Sequence, residues 1–361
     1  MKHAMDTDCG GITTFLDREG RVYGYDKNVW FAGRTMYTFC VAYNTIKQDP
    51  AYLEIARNMY DFLTVCEDER GRLPFVVNRE GKALVTNDAY YSETFATIGC
   101  AEYYLATGRE EVRERAHRYF DIAYDLYRKE LSREPRDEGA APVTKALGPS
   151  MILLSVCQTM RKLDHDKYHP IAAACAEEIL CHLTPYGLLE NIGMNGEFYD
   201  TPVGREVNPG HSLEAAWFLL AEGVYRDDER MKQSARQIVD ISMKLGYKDG
   251  GIIAFCDCKG HPSTYLEWDM KIWWPQCEAL IATRLCYTVF GDETYLRWYE
   301  ELRDWVFARY PDRTYGEWYG YMHYDGTLAS TLKGNVSKGP FHLPRMLILI
   351  DRLERGEPIL Q

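Results

Sequence analysis

The feature that most constrains this chain is a helical pattern that returns about every sixty residues. A turn, an acidic first helical turn and an apolar or aromatic stripe recur as KQDPAYLEIARNMYDFL from Lys47, TGREEVRERAHRYFDIA from Thr107, KLDHDKYHPIAAACAEEIL from Lys162, YRDDERMKQSARQIVDIS from Tyr225 and FGDETYLRWYEELRDWV from Phe290. Asp and Glu at a helix start cap free amides and oppose the macrodipole, so each copy has a physical reason to begin where it does. A more apolar helix precedes each one and a last one follows, with predicted starts near Asn28, Asn87, Ala146, Pro209, Asp269 and Pro340, at intervals of 59, 59, 63, 60 and 71 residues. Two helices per period make a hairpin that cannot bury its apolar face alone and must stack or close. Neither end carries a polar capping repeat, so closure is expected. The predicted fold is all-α: one toroidal domain over residues 1–361, with eleven helices and the first helix of the ring missing before Met1.

Short alternating segments lie between the helical pairs: RLPFVVNREGKALV, LLENIGMNGEFYD, GGIIAFCDCKG and YGEWYGYMHYDGT. Each is centred on turn residues and reads as a small β-hairpin. All follow a charged helix and precede an apolar one, which predicts that they gather on one face of the ring and wall a pocket.

Charge and cysteine usage narrow the partners. The net charge is -12 with both signs interspersed, which argues against nucleic acid, a polyanionic substrate or a polybasic membrane patch. Eleven cysteines, several in apolar helical patterns (Cys40, Cys100, Cys157, Cys286), behave as reduced core residues and predict a cytoplasmic location. Cys256 and Cys258 read as strand residues, since no second pair gives zinc-finger spacing. No apolar run reaches the roughly 20 residues of a membrane span.

In a ring of antiparallel hairpins the apolar helices all start at one end. Functional side chains are therefore expected early in different apolar helices. Arg34 in WFAGRTMYTF, His211 in NPGHSLEAAWFLL, Glu278 in KIWWPQCEALIA and His342 in GPFHLPRML meet that expectation. Burying such groups is costly unless they are paired or line a cavity. Each has a plainer reading: an ion pair for Arg34, a helix-opening residue for His211, a partner of Trp273 or Trp274 for Glu278, a core histidine for His342. Glu214 stands three residues after His211 on the same helix face and is expected to fix its tautomer rather than share a metal, so no metal is expected. Tyr37, Tyr90, Tyr91, Trp217, Trp273, Trp274, Trp318, Tyr319 and Tyr321 offer faces for a sugar, a minority of them in earnest. No P-loop or G-x-G-x-x-G occurs, which weakens nucleotide and hydride chemistry.

At these residues the chain resembles the N-acylglucosamine 2-epimerase family, which includes cellobiose 2-epimerases and mannose isomerases and whose members are (α/α)6 barrels. GGITTFLDREGRVYGYDKNVWFAGRTMYTF looks like the family's opening. LLENIGMNGEF, NPGHSLEAAWFLL, WWPQCEALIATRL and KGPFHLPRML look like its later blocks, in order. The NPGHSLEAAWFLL form is nearer to the N-acylglucosamine branch. The resemblance implies that His211 and His342 are the acid/base pair, with Arg34 and Glu278 in the polar site. Glu214, Glu190, Asn191, Trp274, Tyr91 and Gln276 complete the expected substrate-binding set, although Gln276 departs from the histidine expected in its block. ATP as a non-consumed effector enters through the resemblance alone, and a homodimer is left open.

Inverting C2 requires the open-chain aldose, whose carbonyl acidifies the C2 proton. One group removes it to leave an enediolate and another returns a proton to the opposite face, so two histidines suit the task without metal or redox cofactor. Arg34 would stabilise the anion. Other readings stay open: an aldose–ketose isomerase or cellobiose 2-epimerase of the same family, a glycoside hydrolase on the same toroid using carboxylates among Asp88, Glu190 and Glu278, and a non-catalytic sugar-binding or protein-binding ring.

Overall fold

A computed structural model describes residues 3–86, 90–133 and 143–359. Asn87 and Asp88, singled out above, lie outside the described residues. Eleven helices occur among those described: α1 (Val29–Thr45), α2 (Pro50–Cys66), α3 (Tyr91–Thr107), α4 (Glu110–Leu131), α5 (Leu147–Met160), α6 (His165–Cys181), α7 (Pro209–Arg226), α8 (Glu229–Gly246), α9 (Trp273–Phe290), α10 (Glu293–Arg309) and α11 (His342–Glu354). The repeated acidic turns act as caps. Asp49 accepts from Ala51 N, Asp228 from Met231 N and Asp292 from Thr294 N. Pro50 and Pro209 occupy first-turn positions, where a missing N–H is no loss. Gly108 and Gly291 end α3 and α9 in the left-handed region that glycine enters freely. No helix among the described residues is long and apolar enough to cross a membrane.

The chain divides into two compact units. One comprises Met1–Lys129, Thr159–Tyr168 and Thr331–Arg345, the other Glu130–Gln158, His169–Ser330 and Met346–Gln361. In the first, α1 packs on α2 and α3. A Cβ on Gly33 would lie 2.4 Å from the backbone of Phe95, and one on Gly99 would lie 2.7 Å from the Gly33 carbonyl oxygen. Two glycines therefore let α1 and α3 touch backbone to backbone. In the second unit α7 packs on α8 and α9, and α9 on α10. Helices α3, α7 and α9 are buried over nearly their whole first three turns, while α2, α4, α8 and α10 keep one exposed face. The alternation of apolar and charged helices thus becomes an alternation of burial. Cys40, Cys100, Cys157 and Cys286 are fully buried, as expected.

Two of the four expected hairpins exist. Val76–Val77 pairs with Ala83–Val85, and Tyr321–His323 with Leu328–Ser330. The other two segments pair elsewhere. Asn191–Gly193 runs antiparallel to Thr144–Ala146, and Cys256–Asp257 to Glu206–Val207. Only the near ends of these segments pair locally, Gly251–Ile252 with Tyr247–Lys248 and Leu188 with Leu183; alternation identifies a strand but not its partner, and the remainder of each segment pairs with a strand distant in sequence. Cys258 sits in the turn after its strand rather than within it.

Candidate active site

In the second unit, His211 is set by the way α7 begins. Asn208 caps the helix, its side chain accepting from His211 N at 3.1 Å, and Pro209 and Gly210 form the first turn. The Nδ1 of His211 lies 3.0 and 3.2 Å from the two carboxylate oxygens of Glu190. An ionised carboxylate only accepts, so Nδ1 carries the hydrogen and Nε2 of the neutral ring is left as the proton acceptor. Burial at the positive end of a helix works against an imidazolium, but the charge and hydrogen bond of Glu190, with the charges of Glu214 and Glu278, outweigh it and raise the His211 pKa above its ordinary value.

The carboxylate at Nδ1 is therefore Glu190, where the sequence pointed to Glu214; Glu214 faces the ring through its charge. The spacing of Glu214 from His211 places the two on one helix face, but the strand-to-strand turn carrying Glu190 comes from another part of the unit. Trp274 of α9 lies against the imidazole, ring centroids 5.1 Å apart. A Cβ on Gly210 would sit 2.6 Å from the Trp274 ring, so this contact needs glycine.

Glu278 is fully buried and accepts from Trp217 Nε1 at 2.8 Å, in place of the Trp273 or Trp274 anticipated. Asn191 is half-buried in the strand that follows Glu190. Gln276 does not fit the substrate-binding set. Its carbonyl accepts from Ile252 N at 2.8 Å, and its amide donates to Ile252 O and Ile272 O at 2.8 and 3.0 Å. The fully buried amide ties the strand at Ile252 to α9, with both of its N–H groups and one of its oxygen lone pairs spent on backbone.

In the first unit, Arg34 of α1 lies among aromatic rings. Its guanidinium carbon is 3.9 Å from the Phe95 centroid and 4.8 Å from that of Phe341. The segment before His342 is pinned to α1: Thr38 Oγ1 donates to Pro340 O and Asn28 Nδ2 to Val336 O, both at 2.9 Å. His342 opens α11 and is 7% exposed. Arg345 Nη2 donates to its Nδ1 at 3.4 Å, and because arginine can only donate, a neutral ring keeps its hydrogen on Nε2. Tyr91 packs on Trp30, which also meets Phe95.

The structure thus groups His211, Glu190, Glu214, Glu278 and Trp274 in one unit and Arg34, His342 and Tyr91 in the other. Of the nine aromatics noted in the sequence, Tyr90, Trp217, Trp273, Trp318 and Tyr319 are core residues, while Tyr37, Tyr91, Trp274 and Tyr321 keep partial exposure. Sequence reasoning missed Phe95, Phe341 and Arg345. The last had a signal, since it stands three residues after His342 on a helix.

Known proteins bear on this geometry. The model of the N-acylglucosamine 2-epimerase family matches residues 10–342. The chain belongs to that family. It is 32% identical to an N-acylglucosamine 2-epimerase of Bos taurus, covering 98% of this chain and 87% of that protein. Identity to the Homo sapiens protein of the same name is also 32%, over 98% and 86%. Among solved structures it is similar to the cellobiose 2-epimerase of Bacillus thermoamylovorans B4167, with a TM-score of 0.82, 20% identity and coverage of 98% and 94%. The expected all-α fold of the (α/α)6 barrel type is borne out, as is a carbohydrate epimerase, an isomerase acting on small sugars.

Proposed function

We propose that this chain interconverts N-acylglucosamine and N-acylmannosamine by moving one proton at C2 of the open-chain sugar. The observation that carries the reading is His211, whose Nδ1–H is held by Glu190 and whose Nε2 is thereby left to accept a proton. Nε2 of His211 takes the C2 proton, and the bonding pair moves into C1–C2 as the aldehyde oxygen becomes anionic. His342 enters the step as the imidazolium, returns its Nε2 proton to the other face of C2 and ends as the neutral ring, while His211 ends protonated; the roles exchange in the reverse direction. No electron leaves the sugar, so no redox cofactor is called for. Arg34, with its charge framed by rings, stabilises the anion. Glu214, Glu278, Asn191, Trp274 and Tyr91 serve the sugar's hydroxyls and faces.

The names and full-length coverage of the relatives support the N-acylated substrate. Eleven free cysteines support a cytoplasmic setting. Incubation with N-acetylmannosamine, N-acetylglucosamine, mannose and cellobiose in D2O, followed by NMR, tests the reading. Deuterium at C2 of an inverted N-acetylhexosamine is expected. Ketose, cleavage of cellobiose, or no exchange with any sugar would overturn it. His211→Ala and His342→Ala are each expected to abolish interconversion with the helical signal retained, and near-wild-type turnover in either refutes the pair.

A further inference from the structure

The strand that leads into α7 carries a carboxyl group that the proposed proton transfer leaves unused. Glu206 is 2% exposed. Its carbonyl accepts from Glu190 N at 3.1 Å, and its strand pairs with Asp257, so the backbones of Glu190, Glu206 and Asp257 run side by side. The side chain accepts from Ser263 Oγ at 3.1 Å, and the same hydroxyl accepts from Tyr265 N at 3.3 Å. Arg205, adjacent in sequence, is engaged elsewhere, with Asp257 and Asp200 each at 2.8 Å.

The groups that face Glu206 from the neighbouring elements are acids. Burial, then the charges of Glu190 and Asp257, outweigh the serine hydrogen bond and push the carboxyl up to about 7. Its own charge acts in turn on the Cys256 thiol and the Tyr265 phenol. A buried carboxyl with one hydrogen-bond donor and anionic neighbours is an expensive group to keep, which invites a role.

We propose that Glu206 is a positioning residue, a second carboxyl behind the Glu190–His211 pair whose charge sets how tightly that pair holds its proton. While Glu206 is neutral, Glu190 is the anion that touches the ring. When Glu206 ionises, the added negative potential favours the imidazolium, and His211 releases its proton only at higher pH. A histidine that starts protonated cannot act as base, so the second carboxyl restrains the enzyme on the alkaline side of its own titration.

The inference rests on the assigned role of His211, and its test is read without turnover. The pH midpoint of the His211 ring resonances is followed by NMR in the wild type and in Glu206→Gln, alongside kcat/KM for N-acetylmannosamine. Gln keeps the shape and the acceptor for Ser263. The midpoint is expected to fall by on the order of half a pH unit or more. The two kcat/KM profiles should coincide below about pH 6, where Glu206 is neutral in the wild type, and part above about pH 7. Ser263→Ala, which removes the hydrogen bond favouring ionised Glu206, should lower the midpoint in the same direction by less. An unmoved or raised midpoint in both variants overturns the proposal, as does a Glu206→Gln activity loss of equal size at every pH, which marks a merely structural residue. An inactive wild type with a shifted midpoint would count against the function and leave the coupling standing.

Discussion

Replacing Glu190 by Gln should separate the two things this carboxylate does for His211. The variant keeps an oxygen that can accept from Nδ1, the nitrogen that now lies 3.0 and 3.2 Å from the two carboxylate oxygens, and removes the charge. A hydrogen bond to a charged group contributes about 1.5–3 kcal/mol. The His211 side chain is 32% exposed, and solvent screening places the interaction at the lower end, about 1.5 kcal/mol. At about 1.4 kcal/mol per pH unit, the His211 midpoint should drop by roughly one unit. The acidic limb of kcat/KM should move down with it, with turnover reduced but measurable, while Glu190→Ala, which also frees the ring to rotate, should lose a further factor of ten or so within the 10²–10⁴ range of general acid–base help. Stability carries a matching sign. Because the folded-state pKa of His211 is raised, the pair stabilises the fold fully below about pH 6.5 and less as pH rises through the folded value. The deficit of Glu190→Gln in urea unfolding should therefore be largest near pH 5–6 and shrink towards pH 9. A His211 midpoint that stays in place in Glu190→Gln refutes the electrostatic account.

Three further substitutions test the packing, hydrogen bonds and ion pairing of the fold. Gly210→Ala puts a methyl 2.6 Å from the Trp274 ring and 2.9 Å from Pro275; it should cost about 1–3 kcal/mol by chemical denaturation and lower kcat, and a neutral effect on both would show that the ring gives way freely. Gln276→Ala strips Ile252 N and two carbonyls of their partner, so stability should fall by about 2–4 kcal/mol with KM little changed; a selective rise in KM would return this residue to the substrate. Asp6→Ala leaves the buried Lys27 ammonium, 2.9 Å from the carboxylate, without its charge partner and should cost about 3–5 kcal/mol. Arg79, and with it Lys27, holds the Asp6 carboxyl well below the usual range against its burial, so this stabilisation is present above about pH 4 and fades as acid protonates the folded carboxyl; the variant's deficit should narrow at low pH.

Much of the architecture was readable before any coordinates because helices are local objects. Asp49, Asp228 and Asp292 mark their own helix starts through a hydrogen bond two or three residues away, so the repeat and its boundaries are written in short stretches of chain. The starts of α3 and α9 were the least well placed, each four residues beyond the expected Asn87 and Asp269; before α9 the strand Met270–Ile272 intervenes and bonds to a segment some fifty residues downstream. His211 and His342 were conspicuous as ionisable residues at the mouths of apolar helices, and the motifs around them carried the family.

What the sequence determined by itself is the alternation of apolar and capped helices, the buried cysteines and the place of His211 and His342 at the starts of apolar helices, each encoded within one helix. What only the tertiary structure decided is which groups meet: Glu190 rather than Glu214 on Nδ1 of His211, Trp217 rather than its neighbours on Glu278, Gln276 spent on backbone, and two alternating segments paired with strands far away in the chain. Side-chain periodicity assigns a residue to a face of its own element. The atom that faces it across the gap belongs to another element, and its choice depends on the packing of the whole unit.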